Sequence, residues 1–175
     1  MDLLQVKLDD VQAALAFIST IAFVWLLIEF KGMKDAIKER AGVNNEAVRL
    51  KLQAYERLSL FAERSGLKNL VSRMSLTGEP AAIIHERLLH ELRSEYEYNV
   101  SQQIYVSAEI WNAITKLRDQ NIYIINQLFA GLPSTASGMD LGKRIIEYSL
   151  NPNAELNTIV LDALQFEAKK VMEAA

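Results

Sequence analysis

Hydrophobic and polar positions are spread very unevenly along this chain. From Val11 to Ile28 it reads VQAALAFISTIAFVWLLI, eighteen residues without a single Asp, Glu, Lys or Arg. At about 1.5 Å rise per residue, a helix of that length measures roughly 27 Å, close to the hydrocarbon thickness of a bilayer. The run is apolar all round, whereas a helix packed on one side of a core carries an apolar stripe. The pattern predicts a transmembrane helix over residues 11–30. Its anchor residues are Val11, Leu15, Phe17, Ile18, Ile21, Phe23, Val24, Trp25, Leu26, Leu27 and Ile28, and Trp25 and Phe30 suit an interfacial aromatic belt.

Two other readings of the run are weaker. A cleavable signal peptide needs a basic leader and a small-residue cleavage site. Here the leader is acidic, with Asp2, Asp9 and Asp10 against Lys7, and no A-x-A pattern follows. A buried core helix is the other alternative, and the missing polar face counts against it. Lys31, Lys34, Lys38 and Arg40 follow the run, so the positive-inside rule puts residues 1–10 outside and the remainder in the cytoplasm, with these four residues against lipid head groups. Residues 31–43 read as a basic juxtamembrane helix that stops near Gly42.

The rest of the chain, 44–175, has helical periodicity without sustained period-two alternation, so the expected fold is all-α: a membrane helix followed by a bundle of about five helices. Asn44 or Asn45 caps a helix from Glu46 to Ser65, closed by Gly66. Val48, Leu52, Tyr55, Leu58 and Ala62 mark one apolar face of it, and Leu50, Ala54 and Phe61 a second, so it should be sandwiched between neighbours, with Glu56 and Arg57 solvated. A short helix at 67–76 precedes the break Thr77-Gly78-Glu79-Pro80. The next helix runs to Tyr105 with Ile84, Leu88, Leu92, Tyr96 and Val100 inward, and Arg87–Glu91 and Arg93–Glu97 pairs outward. Ser107 caps a helix whose face is Ile110, Trp111, Ile114, Leu117, Ile122, Ile125 and Leu128, ending at Gly131 and Pro133. A short helix around Asp140–Leu150 follows. Asn151-Pro152 then restarts a final helix striped by Leu156, Ile159, Val160, Ala163, Leu164 and Val171.

Composition narrows the functional classes. A body of about 130 residues can bury a core without staples. The chain has no cysteine, which removes disulfides, thiolate metal sites and cysteine nucleophiles, and its net charge of −3 gives no pull toward nucleic acid. The two histidines, His85 and His90 in HERLLHE, are five apart where the zincin motif needs four, which puts them roughly 140° apart around a helix. They read as solvent-side residues. Glu-x-x-His pairs, phosphate-cradling glycine loops and a G-x-S-x-G elbow are all missing from the sequence. No catalytic residue, metal or cofactor is expected. The most unusual soluble stretch is SEYEYNVSQQIYVS (94–107), where Tyr96, Tyr98, Asn99, Gln102, Gln103 and Tyr105 form a candidate interaction surface. Its competing reading is an interhelical polar network with the tyrosines packed on neighbours.

LKLQAYERLSLFAERSGLKNLVSRM (50–74) and ELRSEYEYNVSQQIYVSAEIWNAI (91–114), behind an apolar amino-terminal segment, resemble an uncharacterised family of small membrane-anchored helical proteins of Bacteroidetes bacteria. The resemblance implies a single-pass protein of the bacterial inner membrane with a cytoplasmic helical domain, and it assigns no residue a role. The leading expectation is a non-catalytic interaction or scaffold module whose partners are the lipid bilayer and either further copies or another membrane protein. The alternative is a membrane-tethered enzyme or small-ligand-binding domain built on 94–107.

Overall fold

The computed structural model describes residues 2–151 and 156–174, with side chains from Leu15 onward apart from Ala16. Every regular element among them is helical: α1 (Asp2–Ser65), α2 (Leu67–Ser72), α3 (Ala81–Asn99), a 3-10 turn (Val100–Ile104), α4 (Ala108–Ala130), α5 (Gly138–Ser149) and α6 (Leu156–Glu173). The chain divides into two units, Met1–Glu46 and Ala47–Ala175.

In the first unit the described side chains of α1 are exposed on every side. The helix passes through Gly42, Asn44 and Asn45 without stopping, contrary to the expected break there. An isolated glycine costs a helix about 1 kcal/mol, which weakens but does not end it. No helix among the described residues is long and apolar enough to cross a membrane, so the span expected over 11–30 is not found among them. The side chains of Val11, Gln12, Ala13, Ala14 and Ala16, all part of that run, lie outside the described residues.

The second unit holds two hydrophobic clusters. One joins Tyr55, Leu58, Phe61 and Ala62 of α1 to Ile110, Ile114 and Leu117 of α4 and to Val160 and Leu164 of α6. The other gathers Leu67, Leu70 and Val71 of α2, Ile84, Leu88 and Leu92 of α3, Ile124 and Ile125 of α4, and Leu141 and Ile145 of α5. The helix α4 serves both, its first half in one cluster and its second half in the other. The expected two-sided burial of residues 46–65 holds, with Ala54, Tyr55, Leu58, Phe61 and Ala62 all buried. Burial raises the Tyr55 phenol above its ordinary value, and Glu167 adds to the shift.

The end of α1 shows why these helices meet as they do. The last four carbonyls of a helix have no partner within it. Here Asn157 of α6 donates to Ala62 O at 2.8 Å, Asn69 to Glu63 O at 2.9 Å, Arg73 to Arg64 O at 2.8 Å and Asn121 of α4 to Ser65 O at 2.8 Å. All four are satisfied, two of them by buried asparagines. Gly66 follows the end of α1 as expected, and its backbone is extended, with φ −53° and ψ 132°. Any residue tolerates those angles, but a Cβ at Gly66 would sit 2.5 Å from Asn157 Nδ2. Space, not backbone conformation, selects the glycine.

Other boundaries differ from expectation for local reasons. The second short helix ends at Ser72, and the helix after Pro80 ends at Asn99, because the Asn99 amide bonds to Glu95 O at 2.8 Å and the chain tightens into the 3-10 turn. Val100 is consequently 41 % exposed. Ser107 caps α4 as expected, accepting from Ile110 N. The helix α5 begins at Gly138, two residues before the expected start, because Ser137 and Asp140 form a reciprocal capping box. Arg87 reaches Glu79, not Glu91. Ile159 is 66 % exposed while Asn157 is buried, so the inner face of α6 is rotated from the expected stripe. Pro152 lies outside the described residues.

Two outcomes follow from these caps. Gly66→Ala should destabilise the chain by about 1 kcal/mol or more in denaturant titrations, because the methyl displaces the Asn157 amide. In an Asn157→Ala background the same change should cost clearly less, since only the contact with Glu63 O at 3.3 Å then remains. Additive effects would contradict the steric account. At α5, the Ser137 hydroxyl and then its backbone N–H hold the Asp140 carboxyl below its ordinary value. A lowered folded-state value stabilises above the ordinary carboxylate range, and that stabilisation is lost as pH falls through the lower value. Urea titrations across the acid range should show wild type losing its advantage over Asp140→Asn; parallel curves would refute the linkage.

Candidate functional site

The 94–107 stretch does not form one surface. Tyr96 is half-buried and serves as a packing centre between α1, α3 and α4. Its ring meets Phe61 edge-on at 6.1 Å and lies 5.4 Å from Trp111, while the Arg118 guanidinium covers it at 3.9 Å. Its hydroxyl is 3.3 Å from Thr115 Oγ1. Asn99 and Gln102 are buried, and Tyr105 is half-buried. Of the six candidate residues Tyr96, Tyr98, Asn99, Gln102, Gln103 and Tyr105, Tyr98, 73 % exposed, and Gln103 are open to solvent, and the other four are buried or half-buried. Shared composition does not put these residues on one face: Tyr96 and Tyr98 are two apart and face about 200° apart.

Two open grooves flank α3. One, of about 360 Å³, is lined by Arg93, Tyr96, Glu97, Arg118, Asp119 and Ile122. The other lies by Tyr98, where Arg57, Leu60 and Arg64 of α1 face Glu95, and it continues past Glu91 and Ser94. Arg57 is not simply solvated as expected: its guanidinium sits 4.8 Å above the Tyr98 ring. The Glu95 carboxylate takes Arg64 and, at 3.7 Å, Arg73. Each cation in this groove is engaged by an aromatic face or a carboxylate, which is the organisation of a structural surface network. The sequence held no spacing signal for it, because Glu95 and its arginines come from separate helices.

His85 is a further correction. It is half-buried, its Nε2 is 2.7 Å from Asn126 Oδ1 and its ring stacks on Phe129 at 4.2 Å, so it joins α3 to α4. His90 is exposed. Among the described residues no group of three His, Asp or Glu side chains could hold a metal ion.

In the first unit, the exposed side chains sort by chemistry along α1. Leu15 and Phe17 to Ile28 carry the apolar block, with Trp25 at 62 % and Phe17 at 69 % exposure. Lys31, Lys34, Lys38 and Arg40 follow it, all exposed. Singly exposed apolar residues are ordinary; a continuous exposed block of this size is not.

Residues 2–171 match the Family of unknown function (DUF7935), and the chain belongs to that family. No curated protein and no solved structure matches the chain. The resemblance to an uncharacterised family is thereby supported at the level of the family; the match says nothing of membrane anchoring or of a Bacteroidetes origin.

The different duties of the two tyrosines can be measured. Tyr96→Ala should cost about 2 kcal/mol or more of folding stability, because it removes a ring packed on Phe61 and Trp111. Tyr98→Ala should change stability by less than about 0.5 kcal/mol. Equal losses in thermal or urea unfolding would contradict the assignment.

Proposed function

We propose that this member of the DUF7935 family is a single-span protein of a bacterial inner membrane whose helical body is a non-catalytic interaction module. The observation that carries the reading is the apolar block of α1. Its described residues from Phe17 to Ile28 are exposed at every angle around the helix, and the sequence continues the same apolar character back to Val11. Water is a poor solvent for such a cylinder: at about 25 cal/mol per Å² its apolar surface would cost many kcal/mol to leave hydrated, whereas lipid accepts it on all sides. A core or partner helix needs burial on one stripe only.

The basic residues Lys31, Lys34, Lys38 and Arg40 set the direction, with the amino terminus outside and the helical body in the cytoplasm. In the body, the polar side chains that first suggested a site are engaged in caps, stacks and ion pairs, and the grooves are open. That favours contact with other macromolecules over enclosure of a small substrate. The bilayer is one partner, and further copies or another membrane protein are the other.

The test is fractionation of the full-length chain. It should stay with membranes through an alkaline carbonate wash, and protease added to inside-out vesicles should remove the body. Replacing both Ile18 and Ile21 with Lys, at about 2.5–3.5 kcal/mol each near the centre of a span, should move the chain to the soluble fraction. Recovery of the unaltered chain in the soluble fraction would overturn the proposal.

A further inference from the structure

The helix α1 crosses one stretch that is poorly suited to it. Gly42, Val43, Asn44 and Asn45 are four consecutive residues from the weak end of the helix scale, between MKDAIKERA and EAVRLKLQA, which are rich in strong helix formers. Relative to alanine, glycine disfavours helix by about fivefold and each of the other three by about threefold, together roughly a hundredfold. Packing does not offset this. Residues 41–47 are all exposed, and a Cβ at Gly42 would meet nothing within 4 Å, so no close approach selects the glycine. Side-chain charges do not offset it either. Lys31 with Asp35, Asp35 with Lys38 and Glu46 with Arg49 are spaced for attraction along the helix, but no opposite charges three or four apart span residues 42–45.

The same residues are well suited to helix ends. Glycine is favoured just past the end of a helix, where Gly42 follows Ala41, and asparagine is among the best caps at a helix start. Glu46 would then stand in the first turn, where an acid suits the helix dipole. We infer that α1 has a second arrangement in which it opens at residues 42–45 into two helices, so that the stretch is a joint built into the helix. In the structure the joint is closed. Opening adds one helix start, which is disfavoured by a factor of roughly 10⁻³, while alanine itself is near balance between helix and coil. The four weak residues offset about a hundredfold of that factor and the caps most of the remainder. The open form is therefore a minor but measurable state. The boundary between the two units lies at the same place, just after Glu46. On the membrane reading above, the joint frees the tilt of the span in the bilayer from the contacts that the body makes. The opening itself does not depend on that reading.

The chain has no cysteine, so spin labels at two introduced cysteines report a single distance. Asp35→Cys and Gln53→Cys place labels at exposed positions roughly 27 Å apart along a straight helix. In the full-length chain in bilayers, diluted with unlabelled chain, the distance distribution should hold a second population. That population should vanish in the variant Gly42→Ala, Asn44→Ala, Asn45→Ala, which keeps the helix and removes its weak stretch. The same variant should slow hydrogen exchange of amides 43–48 by about tenfold or more and leave amides 34–40 within about twofold. One narrow distance in the unaltered stretch, or a slowing at 43–48 of less than about tenfold, would overturn the joint and leave the anchor standing. Loss of the chain from membranes in the carbonate wash would instead overturn the anchor, and the distance and exchange measurements would still decide the joint.

Discussion

Four carbonyls at the end of one long helix organise the globular part of this protein. Ala62, Glu63, Arg64 and Ser65 turn their oxygens toward the rest of the body, and each needs a donor that the helix itself cannot supply. Two of the donors are buried asparagines, Asn121 and Asn157, carried by helices that are far away in sequence. An unsatisfied buried carbonyl costs about 1–3 kcal/mol, so each amide ties its helix to α1 at a definite height and angle. Asn121 also sits on α4 between the residues that serve the two hydrophobic clusters. The polar pin and the division of the core are thus parts of one arrangement.

The same helix has three chemical characters along its length. Around Leu15–Ile28 it is apolar on every side, around Phe30–Asn44 it carries a single stripe, and from Ala54 to Ala62 it is buried on two faces. The last pattern is that of a helix inside a protein core, and the first is the one proposed above to lie in lipid. The polar inventory of the body follows a corresponding logic. His85 with Asn126, Tyr96 with Arg118, and Glu95 with Arg64 and Arg73 all join separate helices. These groups hold the bundle together instead of converging on a cavity, which is why the functional reading rests on surfaces.

Much of the fold was legible in the sequence because burial and helical period are coupled. The inward positions Ile84, Leu88 and Leu92 of α3, and Ile110, Ile114, Leu117 and Ile125 of α4, follow from spacing alone. What spacing could not reveal is a buried polar residue. Asn121 and Asn157 look like solvent positions until the carbonyls they serve are known, and missing Asn157 misplaced the inner face of α6, so that Ile159 was expected inside. Gly66 closes the helix where expected, but the reason it must be glycine, lack of space beside Asn157, is visible only in the fold. The Ser137–Asp140 capping box was visible as Ser-x-x-Asp, and its signal was obscured by the surrounding LPSTASG loop composition. The residues grouped in 94–107 do not share one face, because a polar, aromatic composition carries no direction, whereas the helix angle separates Tyr96 from Tyr98.

The central claim is that the apolar block of α1 lies in lipid. Spin labels at single cysteines introduced across residues 17–28 of the full chain, reconstituted in bilayers, measure it directly through collisions with oxygen and with a water-soluble nickel chelate. The account predicts high oxygen and low nickel accessibility at every position, without helical periodicity. Accessibility that alternates with a 3.6-residue period, or strong nickel quenching throughout, would contradict it.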